Sequence, residues 1–171
     1  MEKLINVAGT ANDSIVDGVG LRYVLFVQGC PRKCKGCHNA QTQPFVQKTL
    51  MTPTQIMEQI NSNPLLDGVT FSGGEPMCQA EALVTLAKMI KDKGLNLAIY
   101  TGFTFENLIS KEIAGVSDLL KYTDILIDGE YVEELRDYTL KFRRSSNQRV
   151  IDVPQSLQQN KIVLVSNPKW L

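Results

Sequence analysis

Three cysteines follow directly after a strongly apolar segment, and their spacing constrains the chain more than any other feature. Residues 23–27, Tyr-Val-Leu-Phe-Val, are β-branched, aromatic or aliphatic, which is typical of a buried strand. A Gln-Gly pair ends this segment, and Cys30, Cys34 and Cys37 follow in the spacing C-x3-C-x2-C. The sequence therefore predicts a loop that carries three thiols at the carboxyl end of a buried strand.

Three thiolates on one loop suit a soft metal centre, above all an iron–sulfur cluster. A cubane held entirely by cysteine needs four thiolates, so three leave one iron open to another ligand. Zinc is the alternative, with His38 and Cys78 completing the site, although the usual paired ligand spacing is missing. A disulfide framework fits poorly, because the chain is long enough to form its own core and begins without a signal-peptide pattern.

Composition favours one globular domain that spans residues 1–171. Hydrophobic residues make up 43% and charged residues 21% of the sequence, as in ordinary globular proteins. Lysine plus arginine and aspartate plus glutamate both number 18, so we expect no nucleic-acid partner. No apolar run approaches the length that spans a bilayer, so we expect no membrane partner. Reduced cysteines without an address signal favour a cytoplasmic location.

Strand and helix patterns alternate along the chain. Residues 4–8 predict a short edge strand, and residues 9–20 predict a loop because they are rich in turn formers. Three further strand patterns, at 68–71, 95–100 and 124–128, are separated by segments with apolar residues at helical spacing. This βαβαβ alternation predicts an α/β fold with a single parallel sheet covered by helices.

Four polar or glycine-containing segments lie where the predicted strands end. They are the cysteine loop, the turn at residues 73–76 (Gly-Gly-Glu-Pro), Thr101-Gly102 and Asp128-Gly129. The carboxyl ends of parallel strands meet at one edge of a sheet, where barrel enzymes place their active sites. We therefore expect the four segments to form one composite site.

These motifs together resemble a known family. The C-x3-C-x2-C spacing is similar to that of the radical S-adenosylmethionine (SAM) superfamily, and Cys37-His38-Asn39 is similar to its glycyl-radical activating enzymes. One C-terminal segment resembles the signature of the subfamily that activates anaerobic ribonucleoside-triphosphate reductase. The segments that carry the resemblance, in the family's order, are residues 17–22 (DGVGLR), 26–30 (FVQGC), 71–76 (FSGGEP) and 145–153 (SSNQRVIDV).

The resemblance implies an incomplete α/β barrel with two cofactors, a 4Fe-4S cluster and SAM. A reduced cluster would cleave SAM, and the resulting 5′-deoxyadenosyl radical would take a hydrogen atom from a glycine. No protein residue is expected to be catalytic, because the cluster and SAM carry the chemistry. The implied metal ligands are Cys30, Cys34 and Cys37, and the implied SAM-binding residues are Gly36, Cys37, His38, Asn39, Gly73 and Gly74.

The implied partner is the large subunit of anaerobic ribonucleoside-triphosphate reductase, and the implied electron donor is a flavodoxin or ferredoxin. An activase of another glycyl-radical enzyme, such as pyruvate formate-lyase, is the first alternative. A small radical SAM synthase acting on a pterin-derived metabolite is a second. A non-catalytic iron–sulfur electron carrier is the alternative from a different functional class.

A few positions depart from the family pattern. Gly36 stands where most of the superfamily has an aromatic residue, Glu130 where related activases have a lysine, and Arg144 where the subfamily motif has a glycine. Cys78 is interpreted as a small buried hydrophobic residue and not as a fourth cluster ligand. The basic segment 141–149 has three interpretations: an RNA-binding strip, a solvated loop, or a surface that seats the partner or closes over SAM.

Overall fold

The computed structural model describes residues 2–171 and shows a seven-stranded sheet with its helices on one face. The strands are β1 (Ile5–Ser14), β2 (Arg22–Val27), β3 (Thr49–Met51), β4 (Gly68–Gly73), β5 (Asn96–Tyr100), β6 (Ile125–Asp128) and β7 (Arg149–Asp152). The helices are α1 (Pro53–Asn61), α2 (Ala80–Asp92), α3 (Phe105–Ser110), α4 (Val116–Lys121) and α5 (Val153–Gln159). Single 3-10 turns lie at Ala40–Thr42, Pro76–Gln79, Glu133–Leu135 and Pro168–Trp170.

The sheet is mixed, with the strand order β3-β1-β2-β4-β5-β6-β7. The four central strands, β2, β4, β5 and β6, run parallel to one another. The edges are antiparallel: β1 pairs with β2 and β3, and β7 pairs with β6. The prediction of an α/β fold is confirmed, but the prediction of a single parallel sheet is wrong at both edges.

β1 pairs antiparallel with β2 because the connection between the two strands is short. Only residues 15–21 connect β1 to β2, whereas a crossover between parallel strands needs about a dozen residues or more. The prediction of a loop over 9–20 is wrong for residues 9–14, which continue β1 against β2. Glycine, asparagine and aspartate are poor strand formers, but the backbone ladder to β2 and two register shifts accommodate them.

Local sequence explains the start of α1. The Thr52 hydroxyl accepts a hydrogen bond from the Gln55 N–H at 3.1 Å, and the Gln55 side chain accepts one from the Thr52 N–H at 2.9 Å. Pro53 takes the first helical position, where no intrahelical N–H bond is needed. Ile56 and Ile60 then point into the core, one turn apart.

Apolar layers cover both faces of the sheet. Alternate residues of β5 show this, since Leu97 and Ile99 join the larger cluster beneath the helices. Ala98 lies on the opposite face, in a smaller cluster with Ile127 and Trp170. The helices therefore cover one face, while the C-terminal segment covers part of the other. Within residues 2–171, no helix has the length and apolarity needed to cross a membrane.

Candidate cofactor site

The carboxyl ends of the four parallel strands surround one pocket. The loops after β2, β4, β5 and β6 all line it, and Asp17, Arg144 and Gln148 complete its wall. Of the predicted site residues, Gly36 alone is not part of the lining, although Cys34 and Cys37 on either side of it are. The strand-end and loop residues that line the pocket are Cys30, Arg32, Cys34, Cys37, His38, Asn39, Thr42, Gln43 and residues 72–75, 100–102 and 129–131.

The cysteine loop presents three half-buried thiols to this pocket. Its backbone is fixed by bonds from the Cys30 N–H to the Gln43 carbonyl, at 2.9 Å, and from the Cys37 N–H to the Cys34 carbonyl, at 3.1 Å. Burial raises the pKa of the Cys30 and Cys34 thiols above the ordinary cysteine value. Metal binding must therefore displace protons from these two groups.

The donor set fits a 4Fe-4S cluster that has one iron without a protein thiolate. Cys30, Cys34 and Cys37 line the pocket, while Cys78 does not. The prediction that Cys78 is buried is wrong, because the Pro76–Gln79 turn leaves its side chain exposed. Across residues 2–171, no three histidine, cysteine, aspartate or glutamate side chains are arranged to hold a single metal ion.

Glu75 of the Gly-Gly-Glu-Pro turn is a buried carboxyl surrounded by donors. The Thr101 hydroxyl donates to it at 2.7 Å, the Gly102 N–H at 2.8 Å and the Met77 N–H at 3.1 Å. Burial raises the pKa of Glu75, and the same hydrogen bonds, together with the Arg32 charge, oppose that rise. The side chain thus joins the ends of β4 and β5 inside the site.

Arg32, between the first two cysteines, connects the cysteine loop to the loops after the other strands. Its Nη1 lies 3.1 Å from Glu75 Oε2, and its Nε lies 2.7 Å from Glu130 Oε1. Its guanidinium also lies 4.1 Å from the centre of the Phe103 ring. Glu130 therefore serves here as a partner for Arg32.

Gly73 and Gly74 are required by the approach of β4 to β2. A Cβ at Gly73, whose φ is +94°, would lie 2.6 Å from the Val27 nitrogen, and one at Gly74 would lie 2.4 Å from the Gly29 carbonyl oxygen. The Gly74 N–H already donates to the Val27 carbonyl at 2.7 Å. The close backbone contact that these two glycines allow is therefore a contact with the end of β2 and the residue that follows it closely, Gly29.

Tyr131, from the loop after β6, supplies an aromatic ring beside Gly36. A Cβ at Gly36 would lie 3.3 Å from a Tyr131 ring carbon, and the Tyr131 ring meets the His38 ring edge to face at 5.3 Å. The loop after β6 thus places an aromatic ring next to the cysteine loop. His38 is exposed, while Asn39 lines the pocket without bonding the N-terminus of the following turn through its side chain.

Sequence reasoning missed several residues that line the pocket or hold its loops together. Arg32, Tyr100 and Tyr131 are among them, and no local pattern marks any of the three.

Asp128 lies outside the pocket lining. Its buried carboxyl accepts a hydrogen bond from the Phe105 N–H at 2.8 Å and pairs with Arg149.

Comparison with known proteins assigns the chain to a family. The family model for a 4Fe-4S single cluster domain matches residues 16–151, most of the chain. The anaerobic ribonucleoside-triphosphate reductase-activating protein of Haemophilus influenzae is 34% identical over 146 residues, which cover 78% of this chain and 89% of that protein. The chain belongs to this family of activating proteins.

Two further relatives agree with the family assignment. The Escherichia coli K12 anaerobic ribonucleoside-triphosphate reductase-activating protein is 33% identical over 147 residues, covering 80% of this chain and 91% of that protein. The pyruvate formate-lyase-activating enzyme of Clostridium pasteurianum is 35% identical over 127 residues, covering 70% of this chain and 50% of that enzyme. The chain is therefore a radical SAM activating enzyme with a 4Fe-4S cluster and SAM as cofactors. The predicted enzyme class and the predicted cofactors are both confirmed.

Proposed function

We propose that the chain activates an anaerobic ribonucleoside-triphosphate reductase by forming a glycyl radical on its large subunit. The names of the relatives that match most of their own length support this target. The observation that carries the proposal is that Cys30, Cys34 and Cys37 line the same pocket as the Gly73-Gly74 turn. A ligand of the open iron would therefore contact both loops.

Each cysteine is assigned to one iron, and the fourth iron is left for SAM. We assign Gly36, Cys37, His38 and Asn39 to SAM binding, since the last three line the pocket. The Gly73-Gly74 turn is assigned to the methionine end of SAM. An amino group donates hydrogen bonds, so its partners in this turn would be carbonyl oxygens. The Gly74 N–H already donates to the Val27 carbonyl.

The chain's own residues bind and orient the cofactors and contribute no acid or base. When bound, the reduced cluster and SAM would supply the radical chemistry that takes a hydrogen atom from the target glycine. Glu75 and Arg32 hold the loops after β2, β4 and β6 around that chemistry.

Several finer points belong to the same proposal. We take residues 1–171 as one radical SAM domain and its mixed seven-stranded sheet as an incomplete barrel. The reaction consumes an electron, for which a flavodoxin or ferredoxin is the proposed donor. We place the reaction in the cytoplasm, where thiols that bind iron stay reduced.

Activation of a pyruvate formate-lyase is the second candidate, favoured by the 35% identity to the Clostridium pasteurianum enzyme. The test is anaerobic reconstitution with iron and sulfide, followed by dithionite and SAM, with either the reductase subunit or pyruvate formate-lyase added. We expect 5′-deoxyadenosine and a glycyl radical signal with the reductase.

Two other results would change or overturn this assignment. A glycyl radical on pyruvate formate-lyase but not on the reductase would transfer the assignment to the second candidate. A loaded cluster that never yields 5′-deoxyadenosine would overturn the proposal. The Cys34→Ala variant is the control, since it removes one proposed cluster ligand and should abolish product formation with either partner.

A further inference from the structure

A second cleft opens beside the cofactor pocket. We call it the arginine cleft, and it is lined by Val16, Arg136, Tyr138, Leu140, Arg143 and Arg144. His38, Tyr100 and Arg144 line both this cleft and the cofactor pocket, so the two are continuous. A chain lying in the arginine cleft could therefore extend directly to the cofactors.

The cleft has a positive charge that the protein does not neutralise. Arg136, Arg143 and Arg144 form no ion pair with any carboxylate among residues 2–171. Asp137 is the only acidic residue in the lining, and it accepts bonds from Thr139. Because the whole chain has 18 basic and 18 acidic residues, this surplus is local.

A buried donor also lacks an acceptor here. Nε of Arg143 is buried without a hydrogen-bond partner in the described part of the chain, and its Nη1 reaches only the Gln148 carbonyl, at 3.5 Å. Burying such a donor without a partner is unfavourable. The Arg143 guanidinium is therefore bonded only weakly within the protein, and its charge stays unpaired beside the open cleft.

Apolar side chains stand exposed next to these charges. Tyr138 is 82% and Val16 is 73% exposed. The Arg136 guanidinium lies 5.0 Å from the centre of the Tyr138 ring. Arginine together with aromatic and aliphatic side chains is typical of the energetically important parts of protein–protein interfaces.

A hydrogen bond joins the wall of the cleft to the wall of the cofactor pocket. The Tyr100 hydroxyl donates to the Phe142 carbonyl at 2.7 Å. Phe142 has a φ of +59°, a strained value for an aromatic residue, and its ring packs on Trp170. The surrounding structure therefore holds the segment between Arg136 and Arg144 in one defined position beside the site.

We propose that the arginine cleft binds an acidic segment of the protein that carries the target glycine. This inference rests on the proposed function and names the chemistry by which the partner is recognised. Charge complementarity favours acidic side chains, and the exposed Tyr138 and Val16 favour a polypeptide over a free anion. Binding in the cleft would direct the following residues of the partner toward His38 and Tyr100 at the pocket.

The test measures the Kd between the reconstituted protein and the purified large reductase subunit at low and high sodium chloride. Wild-type binding should weaken as salt rises, because exposed charges are screened. Arg136→Glu should raise Kd at least tenfold at low salt and flatten the salt dependence. Arg136→Gln should give a smaller rise in Kd, and the Arg136→Glu/Arg143→Glu double variant a larger one.

Lys88→Glu is the matched control, since Lys88 is an exposed cation on α2 that forms no ion pair with a carboxylate of residues 2–171. It should leave Kd unchanged. SAM cleavage without the subunit should be equal in wild type and Arg136→Glu, which separates a docking defect from a damaged site. Equal Kd values for wild type and Arg136→Glu would overturn the inference.

Two other outcomes are also informative. If ATP binds the wild type, and Arg136→Glu abolishes ATP binding without changing the Kd of the subunit, the cleft is a nucleotide site and the inference is wrong. If wild-type protein binds the subunit through the cleft but never cleaves SAM, the proposed function fails while the docking surface stands.

Discussion

The Arg32 guanidinium makes three contacts that come from different loops. It pairs with the buried Glu75, it pairs with Glu130, and it lies over Phe103. The Arg32 side chain is 16% exposed and the Glu75 side chain 1%, so water screens the first pair only weakly. This one side chain therefore positions the cysteine loop relative to β4, β5 and β6.

Replacing Arg32 with alanine should destabilise the protein and loosen the cysteine loop. Removing one partner of a buried ion pair leaves the other charge uncompensated, which costs about 3 kcal/mol. Urea unfolding of the cluster-free protein measures that loss, and bound iron after anaerobic reconstitution should fall as well. Lys33→Ala is the control, because Lys33 is an exposed neighbour in the same loop; an equal loss there would contradict a specific role for Arg32.

The four cysteines should fall into two groups when each is replaced by alanine. Cys30, Cys34 and Cys37 line the pocket, so each single variant should lose most of its bound iron. The Cys78→Ala variant should keep its iron and its SAM cleavage, since the Cys78 side chain is exposed outside the pocket lining. Iron and sulfide content after reconstitution measures this, and iron loss in Cys78→Ala would show a fourth thiolate ligand.

The antiparallel edge formed by β6 and β7 is held by side chains as well as by its backbone ladder. Asp128, at the end of β6, has a side chain that is 1% exposed and pairs with Arg149, at the start of β7. Arg149 also pairs with Glu106 on α3, whose side chain is 60% exposed. One guanidinium thus joins two strands and a helix behind the loops of the site.

Arg149→Ala should destabilise the fold much more than Glu106→Gln. The alanine variant leaves the Asp128 carboxylate buried with only the Phe105 N–H as a donor, at a cost of about 3 kcal/mol. The Glu106 pair is exposed and should contribute at most about 0.5 kcal/mol. Denaturant unfolding at neutral pH measures both free energies. Similar losses would show that the buried Asp128–Arg149 pair stabilises the fold no more than the exposed Glu106–Arg149 pair.

The small Glu106 contribution should depend on pH in one direction. The hydrogen bond from Arg149 holds the pKa of Glu106 below its ordinary value. Its stabilisation is therefore present above the pKa of the unfolded chain and is lost as pH falls through the pKa of the folded protein. The difference in unfolding free energy between wild type and Glu106→Gln should vanish in acid; a difference that grows in acid would contradict this assignment.

Over the whole molecule, the two faces of the sheet are covered in different ways. Helices cover one face, whereas Trp170 and Val165 from the C-terminal segment cover part of the other. Trp170 is 5% exposed, and its ring lies 5.6 Å from the buried Arg22 guanidinium and 5.4 Å from the Phe142 ring. The C-terminal segment therefore supports both the sheet and the segment that lines the arginine cleft.

Trp170→Ala should cost about 3–5 kcal/mol of unfolding free energy, as other buried aromatic truncations do. Part of this cost arises because the Arg22 guanidinium loses the ring that covers it. Denaturant unfolding measures the loss. Leu171→Ala is the matched control, because Leu171 is 47% exposed and its truncation should change stability little; comparable losses would show that the ring is not part of the core.

The sequence predicted those parts of the site that are encoded by neighbours along the chain. The cysteine spacing and the Gly-Gly-Glu-Pro turn each lie within about ten residues, and each follows a strand with a clear apolar pattern. The structure brings these segments to one pocket, as the parallel centre of the sheet requires. The short strands β3 and β7 were not predicted, because three or four residues carry too little periodicity to distinguish a strand.

What the chain determined by itself was its chemistry: three thiols with room for a fourth ligand, placed on a loop after a buried strand. Only the tertiary structure decided which distant side chains complete that site. Arg32 and Glu130 are 98 residues apart in sequence, and Gly36 meets Tyr131 only because β2 and β6 end at the same edge. Spacing and periodicity are local properties, whereas such pairs depend on strand order, which the whole core sets.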